Sequence, residues 1–263
     1  MNLQRLNTTR LEFLLKQKAY RIPNIRMTKA EQKDPNYRLM EQNNRVLGRS
    51  FHHTFDKAHK MLGRIPTPQE FIAFQMKDVK KSYASEVWRA RNNVCFKWTE
   101  TVEKGIKQRL LRSYISFINE LHTELSIREI YPNFVMKKSD KLDYAGIDLV
   151  ALDYKHRVSH KLHITKNSEY AIDFLFKKEG KQLDFKQEKG QMFARPKWTK
   201  INHQIYKERD FTGHTFLLYD EVESDSTKII NGYTLFKKQY LINKIQTNTQ
   251  LRLMERETEK TAQ

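Results

Sequence analysis

Residues 143–166 read DYAGIDLVALDYKHRVSHKLHITK. Two short apolar runs, residues 146–152 and 158–164, are bounded by turn-forming residues, which is the pattern of β-strands. The segment between them, residues 153–157, has the composition of a tight connection. The stretch therefore predicts a β-hairpin, and the remaining elements can be placed around it.

The elements on either side of this hairpin predict a sheet flanked by helices. Further strands are predicted at residues 127–135, 215–219 and 232–236, and a helix is predicted at residues 168–178. The order helix, strand, strand, strand, helix, strand indicates an α/β (α+β) fold with a central sheet. Residues 1–125 have helical apolar spacing, which predicts a mainly helical N-terminal half.

The rest of the C-terminal half is polar. The Lys- and Gln-rich residues 177–200 predict a loop or lid, residues 220–231 predict an acidic connection, and the last 20 residues predict a frayed end. The expected organisation is a helical region at 1–125, an α/β core at 126–245 and a polar tail at 246–263. Residues 84–125 predict one long helix or two abutting helices.

The turn between two predicted helices carries a strong helix-start signal at residues 63–70. Gly63 is suited to end one helix, Thr67 can cap the next, Pro68 fits its first turn, and Glu70 completes a capping box. This outline resembles turns in sigma-factor-like DNA-binding modules. Two ordinary packed helices with a good cap explain the same residues.

The charge of the chain favours an anionic partner. Its 263 residues carry a formal net charge of +18, and the isoelectric point is near 9.8. A basic chain of this kind most often binds nucleic acid. A single cysteine, Cys95, excludes an internal disulfide and a multi-cysteine zinc site. Without an apolar run of signal-peptide or membrane-span length, we expect a cytoplasmic protein that contacts no membrane.

Two carboxylates and a lysine in the predicted hairpin suit phosphodiester hydrolysis. Asp148 alternates with Ile147 and Leu149 at the start of a strand, and Asp143 lies in the turn before it. Mg²⁺ prefers hard oxygen ligands and needs only one or two carboxylates from the protein. Lys166, at the end of the next strand, can orient water and stabilise phosphoryl charge. Glu120 or Glu124 on the preceding helix is a candidate for a supporting contact.

Two segments resemble a known nuclease family. Asp143-Tyr-Ala-Gly-Ile-Asp148 resembles the Asp-x-x-Gly-Ile-Asp segment of the TaqI family of type II restriction endonucleases, in the PD-(D/E)XK superfamily. Leu162-His-Ile-Thr-Lys166 stands where that family has a strand ending hydrophobic–glutamine–hydrophobic–lysine–lysine. Asn231-Gly-Tyr-Thr-Leu-Phe236 resembles the family's late Asn-Gly-aromatic strand. The resemblance covers residues 140–240, and the N-terminal half matches only in being helical.

The resemblance implies a restriction-endonuclease-like mixed sheet and a specific chemistry. It implies Asp143 and Asp148 as metal ligands, Lys166 as the catalytic lysine, and Mg²⁺ as cofactor. It also implies cleavage of a short palindromic site in double-stranded DNA to leave 5′-phosphates, by a homodimer, beside a cognate DNA methyltransferase acting on the same site. Protein two-fold symmetry would match that of the DNA.

The sequence departs from the family pattern at three positions of the second strand. His163 stands in place of glutamine, Thr165 replaces the first lysine, and Ile164 occupies the position of the superfamily's usual acid. If Lys166 points away from Asp148, the site relies on Lys161 or is inactive. His163 is a candidate to accept a proton or to contact the metal through water; a strand histidine that only forms hydrogen bonds is the alternative.

Three functions remain distinguishable from the sequence. The first is a sequence-specific DNA endonuclease, whose lid would contact DNA through Arg195, Lys197, Trp198 and Lys200. The second is a DNA-binding protein without catalysis, a repressor or architectural protein, built on the turn at residues 63–70 and the basic helices. The third is an RNA-binding protein, favoured by charge but lacking an aromatic RNA-binding signature.

Overall fold

A computed structural model describes eight segments of the chain: residues 6–42, 51–91, 93–138, 147–166, 184–187, 194–197, 214–219 and 222–261. For some residues inside these segments, Lys166 among them, only the backbone is described.

The described part of the N-terminal half is helical, as the sequence predicts. Two 3₁₀ turns lie at Lys18–Tyr20 and Glu31–Lys33. The α-helices are α1 (Thr8–Lys16), α2 (Pro35–Gln42), α3 (Phe51–Leu62), α4 (Pro68–Ala84), α5 (Glu86–Arg91) and α6 (Glu100–Ile130).

The C-terminal half adds the strands and one more helix. The strands are β1 (Val135–Lys137), β2 (Leu149–Asp153), β3 (Val158–Lys166), β4 (Asp184–Gln187), β5 (Ala194–Lys197), β6 (His214–Tyr219), β7 (Thr227–Ile230) and β8 (Tyr233–Phe236). The helix that follows them is α7 (Lys238–Thr261).

The predicted hairpin forms the middle of a four-stranded sheet with the order β1-β2-β3-β6. Strand β2 pairs antiparallel with both β1 and β3, whereas β6 pairs parallel with β3. The sheet is therefore mixed, and the fold is mixed α/β. Strands β4 and β5 form one separate antiparallel pair, and β7 and β8 form another two-stranded sheet.

The strand predicted at residues 127–135 is wrong over most of its length. Helix α6 continues to Ile130, and β1 begins only at Val135. An ion pair from Arg128 to Glu124, at 2.6 Å and one helical turn apart, supports the helix here. Pro132 cannot continue the helix, and a proline also disfavours the helical conformation in the residue before it. The helix therefore ends at Ile130, before Tyr131.

Residues 84–125 form two helices rather than one, because residues 93–99 between α5 and α6 are not helical. The predicted lid at residues 177–200 is also not all loop, since its described parts are β4 and β5. The predicted acidic connection contains β7. Strand β7 is joined to β8 by Asn231 and Gly232, whose φ angles of 49° and 92° suit a tight hairpin turn.

The prediction of a frayed C-terminus is wrong, because α7 extends to Thr261. Leu241, Ile245 and Asn248 are buried at helical spacing on one side of it. These few inward positions hold the helix in place although its composition is polar.

The contacts divide the chain into two compact units. The first contains residues 1–118 and 231–233, and the second contains residues 119–230 and 234–263. In the first unit, aromatic rings of Phe55, Phe71, Tyr114 and Phe117 pack with centroid distances of 5.4–6.2 Å. Contacts at these distances add to the burial of large apolar surfaces.

The capping box predicted at the start of α4 is confirmed. The Thr67 hydroxyl accepts the Glu70 N–H at 3.3 Å, and the Glu70 carboxylate accepts the Thr67 N–H at 2.8 Å. Arg64 adds two hydrogen bonds to the same carboxylate, at 2.9 and 2.5 Å. Gly63 before the turn has φ of 64°, a conformation that favours glycine.

The core of the second unit lies on one side of the four-stranded sheet. Its fully or nearly fully buried residues come from α6, β2, β3, β6, β8 and α7: Ile127, Leu149, Ala151, Leu162, Leu217, Phe236, Leu241 and Ile245. Leu149 is paired with Leu162 and Ala151 with His160, so these residues project to the same side of the sheet.

A polar group connects three elements inside this core. The Asn248 amide on α7 donates to His160 Nδ1 on β3 at 2.9 Å and to Thr215 Oγ1 on β6 at 2.7 Å. Phe134 stacks on the His160 ring at 5.7 Å. His160 is fully buried, and burial lowers its pKa to about 4.

The hairpin between β2 and β3 is held at its turn. Asp153 Oδ2 lies 2.6 Å from His156 Nδ1, and Oδ1 accepts the His156 N–H at 3.2 Å. Arg256 on α7 donates to the carbonyls of His156 and Arg157, at 2.8 and 2.5 Å. Arg157 has φ of 56°, a strained value that these bonds stabilise.

Within the described segments, no helix combines the length and the apolar character needed to cross a membrane.

His160 makes the stability of the second unit depend on pH. Its folded pKa of about 4 lies below the usual 6.5, so the unfolded chain takes up a proton first as pH falls. We expect the free energy of unfolding to decrease between about pH 6.5 and 4, by roughly 3 kcal/mol in total. Denaturant unfolding of wild type and His160→Gln at pH 7, 6 and 5 measures this change. Equal slopes in the two proteins would contradict the assignment.

Candidate active site

Asp148 lies immediately before β2 and is bonded to β3 through both its backbone and its side chain. Its N–H donates to the Leu162 carbonyl at 3.1 Å. Its carboxylate Oδ2 accepts the Ile164 N–H at 2.6 Å. The carboxylate thus takes the place of a backbone carbonyl at the end of the β2–β3 pairing. A side chain held in this way has a defined position, which a metal ligand requires.

Asp148 lies between two buried residues at the end of the β2–β3 pair. Ile147 and Leu149, on either side of it, are buried at 7% and 0% exposure, whereas Asp148 itself is half-buried. The register of the β2–β3 pair begins at Leu149, opposite Leu162, and the Asp148 N–H donates to the carbonyl of the same Leu162, so regular pairing ends at this point. The side of the sheet on which Asp148 acts stays a prediction.

His163 and Lys161 lie on the same side of β3. The core side of β3 holds His160, Leu162 and Ile164, so positions 161 and 163 fall on the other side. His163 is 6% exposed and Lys161 is partly exposed. Successive residues on one side of a strand are roughly 7 Å apart, which places Lys161 one such step from His163.

Lys166 ends β3, where its backbone pairs with Tyr219 of β6. Its side chain lies outside the described part of the structure. Among the described side chains, the lysine of β3 is Lys161, the residue that the sequence offered as an alternative, and it lies on the same side of the strand as His163.

Asp143 lies outside the described residues, as do Trp198 and Lys200. Arg195 and Lys197 belong to β5, where their backbones pair with Lys186 and Asp184 of β4; their side chains are not described. The predicted ligand role of Asp143 and the predicted DNA contacts of Arg195, Lys197, Trp198 and Lys200 stay predictions.

The two glutamates proposed as supporting residues differ in their surroundings. Glu120 on α6 is 5% exposed, and its carboxylate forms an ion pair with Lys138, just after β1. Glu124 is partly exposed and pairs with Arg128 along the helix surface. Because Glu120 is buried and paired across two elements, it suits a structural or supporting role better than Glu124 does.

The donor atoms at this sheet end fit Mg²⁺ in chemical type. A carboxylate oxygen from Asp148 is a hard ligand, and a carboxylate can accept several bonds besides the one from Ile164. Over the described segments, no group of three or more His, Cys, Asp or Glu side chains is arranged to hold a metal. Asp143, the second carboxylate that the sequence assigns to the metal, is not among those segments.

Some features of this region cannot be read from the residue pattern. The Asp148–Ile164 bond joins a side chain to a backbone group 16 residues away, and only the register of the hairpin reveals it. The placement of Lys161 beside His163 on one side of β3 follows from strand alternation, which the sequence could have applied once the ends of β3 were known.

Comparison of the chain with protein-family models, with curated proteins and with solved structures finds no match in any of the three. The resemblance to the TaqI family therefore depends only on the short segments at residues 143–166 and 231–240.

The Asp148 carboxylate also has a structural role that can be measured. Asp148→Ala leaves the Ile164 N–H without its acceptor, which we expect to lower the free energy of unfolding by about 1–3 kcal/mol. Asp148→Asn keeps an acceptor oxygen in the same place, so its loss should be clearly smaller. Chemical denaturation of the three proteins measures the difference. Identical losses for the two variants would show that the bond to Ile164 contributes no stability.

Proposed function

We propose that this chain is a Mg²⁺-dependent, sequence-specific endonuclease that hydrolyses double-stranded DNA and leaves 5′-phosphates. The observation that carries the proposal is the Asp148 carboxylate, fixed by the Ile164 N–H at 2.6 Å at the end of the hairpin whose β3 strand carries His163 and Lys161. The net charge of +18 supports a polyanionic substrate. The mixed sheet flanked by helices supports a restriction-endonuclease-like fold, which we include in the proposal.

The proposed roles follow from residue chemistry and position. Asp148, with Asp143 from the preceding segment, would hold Mg²⁺. When bound, such an ion polarises a phosphoryl oxygen and lowers the pKa of a coordinated water. Lys161 would place positive charge beside the scissile phosphate, where charge develops as the bond breaks. His163 would accept or pass on a proton in a setting that excludes most bulk water.

The partners follow from the same proposal. A palindromic target would require two copies of the chain related by two-fold symmetry, each acting on one strand. A chain that cuts unmodified DNA would need a methyltransferase acting on the same site to protect its host.

A second function is a DNA-binding protein without catalysis. The observation that favours it is the rigid, basic α4 with its confirmed capping box, which requires no chemistry at Asp148. The two functions differ in metal-dependent strand scission, so one experiment separates them.

We expect wild-type protein to cut mixed-sequence DNA into discrete fragments with Mg²⁺ and not with EDTA. Asp148→Asn keeps the hydrogen-bond acceptor but removes the charge, and should reduce cleavage on the order of 10³-fold. Gel analysis of supercoiled and linear DNA measures both. If wild type retards DNA but never cuts it under a range of metals, the binding protein is the correct function.

The two lysines of β3 can be compared directly. Lys161→Met should reduce the cleavage rate about 10²- to 10³-fold at saturating DNA, because it removes the charge proposed to lie beside the scissile phosphate. Lys166→Met is the matched variant on the same strand and should retain activity within about tenfold. Single-turnover cleavage measures both rates. The opposite ranking would return the catalytic role to Lys166, as the family resemblance implies.

A further inference from the structure

Helix α4 presents a basic side that the proposed active site does not use. Its buried residues are Pro68, Phe71, Ile72, Gln75, Met76 and Val79. The exposed positions are Gln69, Ala73, Lys77, Lys80, Lys81 and Ala84. The two acids of the helix, Glu70 and Asp78, are half-buried, so the exposed positions carry cations and small or neutral side chains only.

The start of α4 is held rigidly by groups from other parts of the first unit. Tyr20 and Tyr114, both buried, donate to the carbonyls of Ile65 and Pro66, each at 2.7 Å. Arg64 neutralises Glu70, whose pKa its hydrogen bonds lower to about 2. The charge of Glu70 is therefore compensated by Arg64 and does not offset the lysines on the exposed side. A helix that is already held in place loses little conformational entropy when it binds a partner.

The far end of α4 is held by an aromatic cluster. Tyr83 packs against Phe96 and Trp98 at centroid distances of 5.4 and 5.1 Å. Its hydroxyl donates to the Phe96 carbonyl at 2.9 Å and accepts the backbone N–H of Trp98 at 3.0 Å. Lys97, between these two residues, is exposed, and its backbone N–H donates to Asn36 Oδ1 at 3.0 Å. The backbone that carries Lys97 is thus fixed beside the helix.

Cations also cover the faces of this cluster. Lys80 lies 5.8 Å above the Trp98 ring, and Arg89 lies 5.5 Å from the Tyr83 ring. Both have acidic neighbours as well, Glu103 at 2.9 Å from Lys80 and Glu86 at 3.9 Å from Arg89. The ion pairs among the described residues do not include Lys77, Lys81 or Lys97, which are all exposed.

We propose that the exposed side of α4, together with Lys97, binds the phosphate backbone of double-stranded DNA. The inference rests on the proposed function and adds a surface of the first unit that binds the same class of substrate. The 17-residue helix is about 25 Å long, a length that can follow the phosphates along a duplex.

Two other partners fit this surface less well. A protein partner would usually bury large apolar or aromatic anchors, and the exposed side of α4 offers only alanines between its polar residues. Single-stranded RNA would need open aromatic rings for stacking, but Tyr83 and Trp98 are packed against each other and lie beneath Arg89 and Lys80.

The test compares two triple variants of equal charge. Lys77→Gln, Lys81→Gln and Lys97→Gln remove the cations of the proposed surface. Lys16→Gln, Lys18→Gln and Lys29→Gln remove three exposed lysines from other elements of the same unit. DNA binding is measured for each with a duplex of mixed sequence, in EDTA, between about 50 and 200 mM salt. Thermal melting confirms that both variants fold.

We expect the first triple variant to bind DNA on the order of 10- to 100-fold more weakly. The slope of its log binding constant against log salt concentration should be smaller in magnitude by about 2–3. The second triple variant should change that slope by less than about 1. The surface is refuted if the two variants behave alike, or if the first binds as wild type does.

Cleavage separates this inference from the proposed function. At low salt and saturating DNA, the first triple variant should still cut with Mg²⁺, whereas Asp148→Asn should bind normally and cut on the order of 10³-fold more slowly. If wild type never cuts but its binding depends on Lys77, Lys81 and Lys97, the nuclease fails and the surface stands. If wild type cuts and the first triple variant binds normally, the surface fails and the nuclease stands.

Discussion

The register between β2 and β3 is the constraint on which both the core and the candidate site depend. With Leu149 opposite Leu162 and Ala151 opposite His160, one side of the hairpin faces the core and the other carries Lys161 and His163. A slip by one residue would turn every side chain of the moved strand to the opposite side. The Asp148–Ile164 bond at one end and the Arg256 bonds at the other both require the observed register. The active-site proposal is therefore tied to the same pairing that buries the core.

The core of the second unit includes polar groups that limit how it can be arranged. The Asn248 amide must reach both His160 and Thr215, so α7 can occupy only one position along the sheet. Apolar contacts from Leu241 and Ile245 would tolerate small shifts, whereas a buried amide that loses its partners incurs about 1–3 kcal/mol for each group. His160 Nε2 is buried without a hydrogen-bond partner in the described part of the chain, which adds to the preference for a neutral ring.

Much of the architecture could be predicted from local pattern. The hairpin, the helical N-terminal half and the Thr67–Glu70 capping box depend on residues close together in sequence, and the structure confirms them. The predictions are wrong where a few contacts between residues far apart in sequence determine the secondary structure. Polar composition concealed the three inward residues of α7. Ile127 and Ile130 suggested a strand because their packing against the sheet is equally available to a helix.

The candidate site was predictable only in part. The position of Asp148 between two buried residues follows from period-two alternation, and the structure agrees. The proposal of Lys161 required the ends and register of β3, which residue spacing does not supply. Asp143, like the side chains of Arg195 and Lys197, lies outside the described part of the chain, so residue pattern remains the whole basis for assigning it to the metal.

One consequence of the chain path concerns synthesis. Tyr233 belongs to the first unit, where it is fully buried, packs 6.3 Å from Tyr114 and donates to the Tyr20 carbonyl at 2.7 Å. Residues 119–230 of the other unit come between. The ribosome must therefore add the 115 residues from Asn119 to Tyr233 before the N-terminal unit can complete its core. At usual elongation rates this takes roughly 6–23 s, during which the nascent N-terminal helices lack a residue that the finished unit buries.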